Sequence, residues 1–166
     1  MTSKSKKQPD LLDQLFLWRD EQREAVKKGT KVVKGSKLPV ETNKMGVYRW
    51  YLHPKLEDRS TKAIMLWTQE IPPGSNSGKQ KHQGGRVHYV LEGKGYTVVD
   101  GVKHDWEKGD VILLPIKPNG VVFQHFNSDT KNKARLVAAE PNWCDALGVD
   151  LGAAFEQIEN APEYKG

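Results

Sequence analysis

Cysteine and long apolar runs are nearly absent from this chain of 166 residues. Cys144 is the one cysteine, so no internal disulfide can form, and we expect a reducing compartment. No stretch approaches the roughly 20 consecutive apolar residues that a membrane-spanning helix needs. Residues 1–9 are rich in Ser, Lys and Gln and lack the apolar run of a secretory signal. We therefore expect a cytoplasmic location and no membrane contact.

Arginine is also scarce, which weakens a nucleic-acid interpretation of the positive charge. The 26 basic and 21 acidic residues give a formal net charge of +5, but only six of the basic residues are Arg. The Lys residues are spread along the chain, and no RNP, zinc-finger or helix-turn-helix pattern accompanies them. The charge indicates a solvated surface, and we expect no nucleic-acid partner.

Helical periodicity is confined to the two ends of the chain. Asp10 can cap a helix in which apolar residues recur at spacings of three and four from Leu11 to Val26, and Gly29 suits its end. Residues 150–160 predict a second, short helix. Its apolar face would consist of Leu151, Ala154, Phe155 and Ile158.

The middle of the chain alternates short β-type runs with turn sequences such as Pro72-Pro73-Gly74 and Asp100-Gly101. Strands are predicted at 46–52, 63–71, 86–92, 96–100, 103–106, 111–114, 121–127 and 134–139. Eight consecutive short strands favour an all-β architecture, closed or double-sheeted, over an α/β plan. We divide the chain into an N-terminal tail and helix (1–44), a barrel (45–140) and a C-terminal segment with a short helix (141–166).

Two sequence motifs carry a family resemblance. The run YVLEGKGY at 89–96, then Asp100-Gly101, GDVILLP at 109–115 and FQHFN at 123–127 resemble the two cupin motifs and the spacer between them. The resemblance implies a small jelly-roll β-barrel with a ligand or metal site on inward-facing strand positions. Within the cupins, TVVDG at 97–101 followed by Trp106 is similar to gentisate-type aromatic ring-cleaving dioxygenases and their single-domain relatives.

The chain departs from the family at the usual metal-ligand positions. The positions of the usual His-x-His and Glu fall on Gln80, His82 and Arg86, and the usual third His falls on Phe123. His82 alone therefore keeps a ligand side chain. Gentisate-type enzymes do without the Glu, so Gln80 and Phe123 are the more serious departures.

Strand parity offers a substitute set of ligands, because residues two apart on a strand share a face. If positions 86 and 123 face the barrel interior, so do His88 and His125. We therefore predict that His82, His88 and His125 hold one divalent cation. The resemblance makes Fe(II) the first expectation, and imidazole ligands also suit Ni, Mn, Zn or Cu.

Arg86 is the most informative departure, because a guanidinium inside a small apolar barrel is costly unless it meets an anion. It is predicted to clamp a negative oxygen of the substrate, with an internal ion pair to an acidic residue, or an outward tilt of the side chain, as the alternative. Gln80 is predicted to assist, either as a weak oxygen ligand or by a hydrogen bond to bound water. Phe123, Tyr89 and Trp106 are predicted to line the substrate, with core packing as the alternative.

Three functions remain open. The resemblance favours a metal-dependent dioxygenase that cleaves or oxygenates a small aromatic acid or phenol with O2. A second function is isomerase or lyase chemistry in which the metal is a Lewis acid. A third is a metal-free cupin that binds a small acidic ligand through Arg86, Gln80 and His82. Each has a small-molecule partner, and the exposed sheet edges and apolar helix face predict a homodimer.

Overall fold

Residues 10–142 are described by a computed structural model, in which an N-terminal helix precedes two antiparallel sheets. Helix α1 is Leu11–Lys28, and a short 3-10 turn follows at Gly35–Lys37. The strands are β1 (Glu41–Asn43), β2 (Gly46–Leu52), β3 (Ile64–Ile71), β4 (Gln80–His82), β5 (Arg86–Glu92), β6 (Lys94–Val99), β7 (Val102–Glu107), β8 (Val111–Leu114), β9 (Val121–Asn127) and β10 (Ala134–Pro141). Within residues 10–142, no helix combines the length and apolar character needed to cross a bilayer.

The two sheets face each other across the barrel interior. The larger sheet has the order β1-β2-β3-β10-β5-β8, and the smaller has the order β4-β9-β6-β7. Side chains from β5 and β9 meet between them, with the rings of His88 and His125 in contact. β8 and β7 are edge strands, because each pairs on one side only among the described residues.

The predicted all-β class and the N-terminal helix are confirmed. The structure adds two strands that were not predicted, β1 and β4, each of three residues. β4 has the polar sequence QKH, which carries no apolar alternation, and it forms because it pairs with β9. The predicted helix at 150–160 lies outside the described residues.

The barrel interior is apolar at one end and polar at the other. The apolar end is a buried cluster of Ile71, Val90, Trp106, Ile112, Ala134 and Leu136. Further along the same strands the inward positions become polar: Arg86 and His88 on β5 and Glu140 on β10 are all buried. The fold therefore places charged and titratable groups inside the barrel at one end. The buried apolar cluster at the other end is called the apolar floor.

Substitution of Gly95 tests the packing of β6 against its two neighbouring strands. A Cβ at this position would lie 2.0 Å from the Phe126 carbonyl oxygen and 2.6 Å from the Trp106 ring. We expect Gly95→Ala to lower the free energy of unfolding by about 2 kcal/mol or more in urea denaturation, because β6 and its neighbours must shift. Gly101→Ala is the control, since a turn with φ of +87° and no atom within 4 Å of the added Cβ should cost about 1 kcal/mol. Equal losses in the two variants would contradict the packing described.

Candidate functional site

A buried ion pair lies at the centre of the polar end. β10 pairs with β5 in a register that sets Ala138 beside His88 and Ala139 beside Val87, and its continuation sets Glu140 beside Arg86. The Arg86 Nε donates a hydrogen bond to Glu140 Oε2 at 2.6 Å, and both side chains are less than 10% exposed. Because the guanidinium and the carboxylate neutralise each other, both charges can remain buried.

Arg86 makes further contacts that fix its guanidinium plane. Its Nη1 donates to Gln80 Oε1 at 2.8 Å. Its Cζ lies 5.0 Å from the centre of the Trp67 ring and 5.5 Å from that of Phe123, so the cation contacts two aromatic rings. The remaining N–H groups of the guanidinium have no hydrogen-bond partner among residues 10–142. Arg86 therefore keeps donors that are available to a ligand.

His82 is held at the half-buried edge of the same network. Its Nδ1 accepts a hydrogen bond from the Gly84 N–H at 3.0 Å, so the neutral ring carries its proton on Nε2. That Nε2 lies 3.0 Å from Glu140 Oε2 and donates to it. Burial, and then the positive charge of Arg86, lower the pKa of His82, while Glu140 acts in the opposite direction. Both ring nitrogens of His82 are therefore occupied.

His88 and His125 form a second, deeper pair. Their ring centres are 4.5 Å apart in an edge-to-face arrangement. His125 Nδ1 shares a 2.7 Å hydrogen bond with Thr97 Oγ1, which also accepts a hydrogen bond from the Trp106 indole N–H at 2.9 Å. His88 Nδ1 and His125 Nε2 are buried with no protein partner.

Both of these imidazoles are held in the neutral form. Burial, and then the charge of Arg86, lower the pKa of His125 to about 3. Burial is also the largest influence on His88, followed by His125 and Arg86, and together they hold its pKa well below the usual value. The polar end of the barrel therefore carries one formal cation, Arg86, and one formal anion, Glu140.

The donor set at the polar end does not fit a divalent cation. Glu140 Oε2 already accepts from Arg86 and His82, and Gln80 Oε1 accepts from Arg86. Over residues 10–142, no group of three or more His, Cys, Asp or Glu side chains is placed to hold a metal ion. His88 and His125 offer two free nitrogens, and the charge of Arg86 opposes a second cation beside them.

The structure thus differs from the expected cluster of three histidines. His88 and His125 come together, but His82 is turned to Glu140, because the Gly84 N–H and the carboxylate fix both of its ring nitrogens. Of the two alternatives for Arg86, the structure shows the internal ion pair. Gln80 contacts Arg86, as described above.

The three aromatic residues predicted to line a substrate occupy different places. Phe123 is buried beside the rings of His88 and His125. Trp106 is buried in the apolar floor and reaches the site through its bond to Thr97. Tyr89 lies on the outer face of β5, 45% exposed, because it alternates with the inward His88 and Val90. Tyr89 therefore does not line the barrel interior.

Sequence reasoning missed Glu140 and Thr97. The signal for Glu140 was present, since β10 alternates Ala134, Leu136 and Ala138 on its buried face and Glu140 is next in that series. A carboxylate on a buried face requires a partner, and Arg86 was the unpaired cation. Thr97 gave no local signal, because its role depends on the cross-strand pairing of Thr97 with His125.

Comparison with known proteins agrees with this architecture. Residues 67–140, less than half of the chain, match the family model described as "Cupin domain", and the two-sheet fold is that of the cupin jelly roll. The polyketide cyclase RemF from Streptomyces resistomycificus has a similar structure, with a TM-score of 0.56 and 18% identity over 68% of this chain and 79% of that one. At this identity the likeness concerns the fold alone.

Curated relatives support the resemblance to gentisate-type enzymes. The chain is 26% identical to 5-aminosalicylate 1,2-dioxygenase from Comamonas sp over 117 residues, which cover 70% of this chain and 29% of the relative. It is 38% identical to gentisate 1,2-dioxygenase from Ralstonia sp over 58 residues, covering 34% of this chain and 16% of the relative. The chain thus spans less than a third of the length of either relative.

The buried ion pair can be tested by a double-mutant cycle. Arg86→Met and Glu140→Leu should each lower the free energy of unfolding by about 3 kcal/mol or more, because each leaves an unpaired buried charge. The double variant should recover most of this loss. Lys133→Met, which breaks the more exposed Lys133–Glu70 pair, is the control and should cost less than about 1 kcal/mol. Strict additivity of the two single losses would show that the pair is not coupled.

The buried histidines predict a loss of stability in mild acid. The unfolded chain takes up protons near pH 6.5, whereas the lowered pKa values keep His88 and His125 neutral in the folded state. The stability these two groups contribute is complete above pH 6.5 and is lost as the pH falls below it, by up to about 1.4 kcal/mol per pH unit for each histidine. His88→Met should reduce that slope between pH 6.5 and 5 in urea titrations. His104→Gln, on the exposed β7, should leave the slope unchanged, and a flat wild-type profile would refute the assignment.

Proposed function

We propose that this cupin binds a small carboxylate-bearing ligand without a metal ion, and that Arg86 recognises the negative oxygens of the ligand. The proposal rests on the 2.6 Å ion pair of Arg86 with Glu140, at a depth of the barrel where the resemblance implies metal ligands. A guanidinium in this place supplies a permanent cation. The third His position of the family is filled by Phe123, which supplies an apolar surface instead of a ligand.

The geometry of Arg86 favours a planar acid. A guanidinium binds a carboxylate in its own plane, through two parallel N–H donors. Trp67 and Phe123 contact the guanidinium, and the N–H groups that Glu140 and Gln80 leave free lie in its plane. An aromatic carboxylate can therefore bond to those groups and place its ring against Phe123. Gln80 and His82, at the half-buried edge of the site, lie where such a ligand would enter.

Charge balance is compatible with an entering anion. Arg86 is already offset by Glu140, so a carboxylate adds one negative charge to the interior. His82 can offset that charge only if the Gly84 N–H releases its Nδ1, which then takes up a proton; a nearby anion favours this because it raises the pKa that burial and Arg86 lower. The neutral His88–His125 pair leaves two ring nitrogens for a hydroxyl group on the same ligand.

Metal-dependent oxygenation of an aromatic acid or phenol is the second candidate. The dioxygenase names of the relatives and the two unpartnered nitrogens of His88 and His125 favour it. It requires a cation at these two imidazoles despite the charge of Arg86. Metal content and ligand binding together distinguish the two candidates.

The test is calorimetric titration of the metal-free chain with salicylate, gentisate and benzoate. We expect one site per chain for at least one of these acids in the presence of a chelator. Arg86→Met combined with Glu140→Leu, which removes both charges, should weaken binding about tenfold or more. Lys81→Met is the matched control, because it removes a cation from the exposed face of β4, between Gln80 and His82, and should leave the affinity within about twofold.

Metal analysis is the second test of the metal-free proposal. After incubation with Fe(II), Mn, Ni, Zn or Cu and removal of free ions, we expect less than about 0.1 metal per chain. Gln80→His and Phe123→His combined with Arg86→Met restore the ligand positions of the resemblance without the opposing charge, and this triple variant is the positive control for uptake. About one metal per native chain, lost in His88→Ala and His125→Ala, would favour the dioxygenase candidate. Binding of all three acids only after metal loading would overturn the metal-free proposal.

A further inference from the structure

The outer face of the larger sheet carries an apolar surface. Val87 and Tyr89 point outward from β5, and their neighbours across the ladder are Leu113 and Val111 on β8. Leu113 is 66% exposed and Val111 is 56% exposed. Ile116, just beyond β8, is 71% exposed. We call these five residues the outer patch.

The outer patch departs from the usual residue pattern of a sheet face that lies in water. Antiparallel sheets with one face in water usually alternate apolar inward and polar outward residues. On β5 the alternation is reversed, because Arg86 and His88 point inward while Val87 and Tyr89 point outward. Within residues 10–142, β8 is also an edge strand, so backbone groups without a strand partner lie beside the patch. A contiguous apolar surface of this kind marks an interaction site.

Helix α1 carries a second apolar surface, which no residue of 10–142 covers. Leu11, Leu15 and Trp18 share one side of the helix by their spacing of three and four residues. Leu11 is 79% exposed, and every residue of α1 whose burial is described falls in the exposed class. Most of the stability of a helix in a protein comes from packing of its apolar face, so α1, with 18 residues, would gain stability from a surface to pack against.

The charged residues of α1 do not oppose docking of its apolar side. The helix contains four acidic and four basic residues. Several are paired within the helix, including Arg19 with Asp20 and Lys27 with Glu24. A neutral helix can approach a chain of net charge +5 without repulsion. Docking of α1 would therefore gain free energy mainly from burial of its apolar side.

The junction after α1 is fixed to the barrel. The Thr30 N–H donates to the Asp58 carbonyl at 2.7 Å, and the Ser60 N–H donates to the Thr30 carbonyl at 3.2 Å. Gly29 lies so close that a Cβ there would be 2.7 Å from the Ser60 nitrogen. With its end fixed in this way and its side chains exposed, α1 projects from its own barrel and does not cover its own outer patch.

We propose that α1 of one copy packs on the outer patch of a second copy, and that the exchange is reciprocal in a two-fold dimer. The loop that anchors α1 precedes β3, whose Leu66 lies beside Ala139, and Ala139 lies beside Val87 of the patch. The C-terminal end of α1 and Val87 of the patch thus lie towards the same end of the larger sheet. A helix about 27 Å long is sufficient to cross to a facing barrel. One two-fold axis then buries both apolar surfaces of each chain.

The first test is the mass of the full chain in solution by light scattering. We expect twice the chain mass at micromolar concentration. Leu15→Glu, on the helix, and Leu113→Glu, on the patch, should each raise the dimer dissociation constant about tenfold or more. Val102→Glu is the matched control, because Val102 is equally apolar and 58% exposed but lies on the smaller sheet. A monomeric wild type, or a dimer that neither variant weakens, would overturn the proposal.

Cross-linking then identifies which helix covers which patch. Leu15→Cys and Leu113→Cys are placed on two differently tagged copies, both carrying Cys144→Ser, and are joined with a flexible bismaleimide. The proposal expects a covalent product that contains both tags. A single chain carrying both cysteines that cross-links within itself at monomer mass would show that α1 covers its own patch. Absence of any cross-link would equally reject exchange.

Discussion

A guanidinium and a carboxylate neutralise each other inside this barrel, and the rest of the polar interior depends on that contact. Without Glu140, Arg86 would be an uncompensated buried cation and would cost several kcal/mol. With it, the cation contacts Trp67 and Phe123, bonds to Gln80 and stays close enough to lower the pKa of all three barrel histidines. One ion pair thus helps to determine the protonation states of the histidines in the barrel interior.

The same placement shapes the outside of the protein. Side chains alternate along a strand, so a β5 that turns Arg86 and His88 inward must turn Val87 and Tyr89 outward. A slip of one residue would bury the apolar set and expose the charged one, but it would also separate Arg86 from Glu140. The buried pair therefore stabilises a register that leaves an apolar outer face on a strand that also builds the site.

Much of the fold follows from local sequence, whereas the site depends on distant pairings. Apolar alternation and Gly-rich turns predict most of the strands, and parity indicates that Arg86, His88 and His125 face inward, where they are buried. β4 escapes prediction because three polar residues form a strand only beside β9. Glu140 lies 54 residues from Arg86 in the chain, so no local pattern connects them and only the β10–β5 register does.

Arg86 supplies only one of the two properties that a divalent cation at this place would combine. A divalent ion attracts anions and also offers open coordination positions at which oxygen or water reacts. A guanidinium attracts anions through directed N–H donors but offers no such positions. Phe123 adds apolar surface where a ligand would stand, and Glu140 keeps the interior neutral. In the proposed function these residues therefore recognise an acid within the barrel, while the activation of a co-reactant would need groups beyond those that hold Arg86.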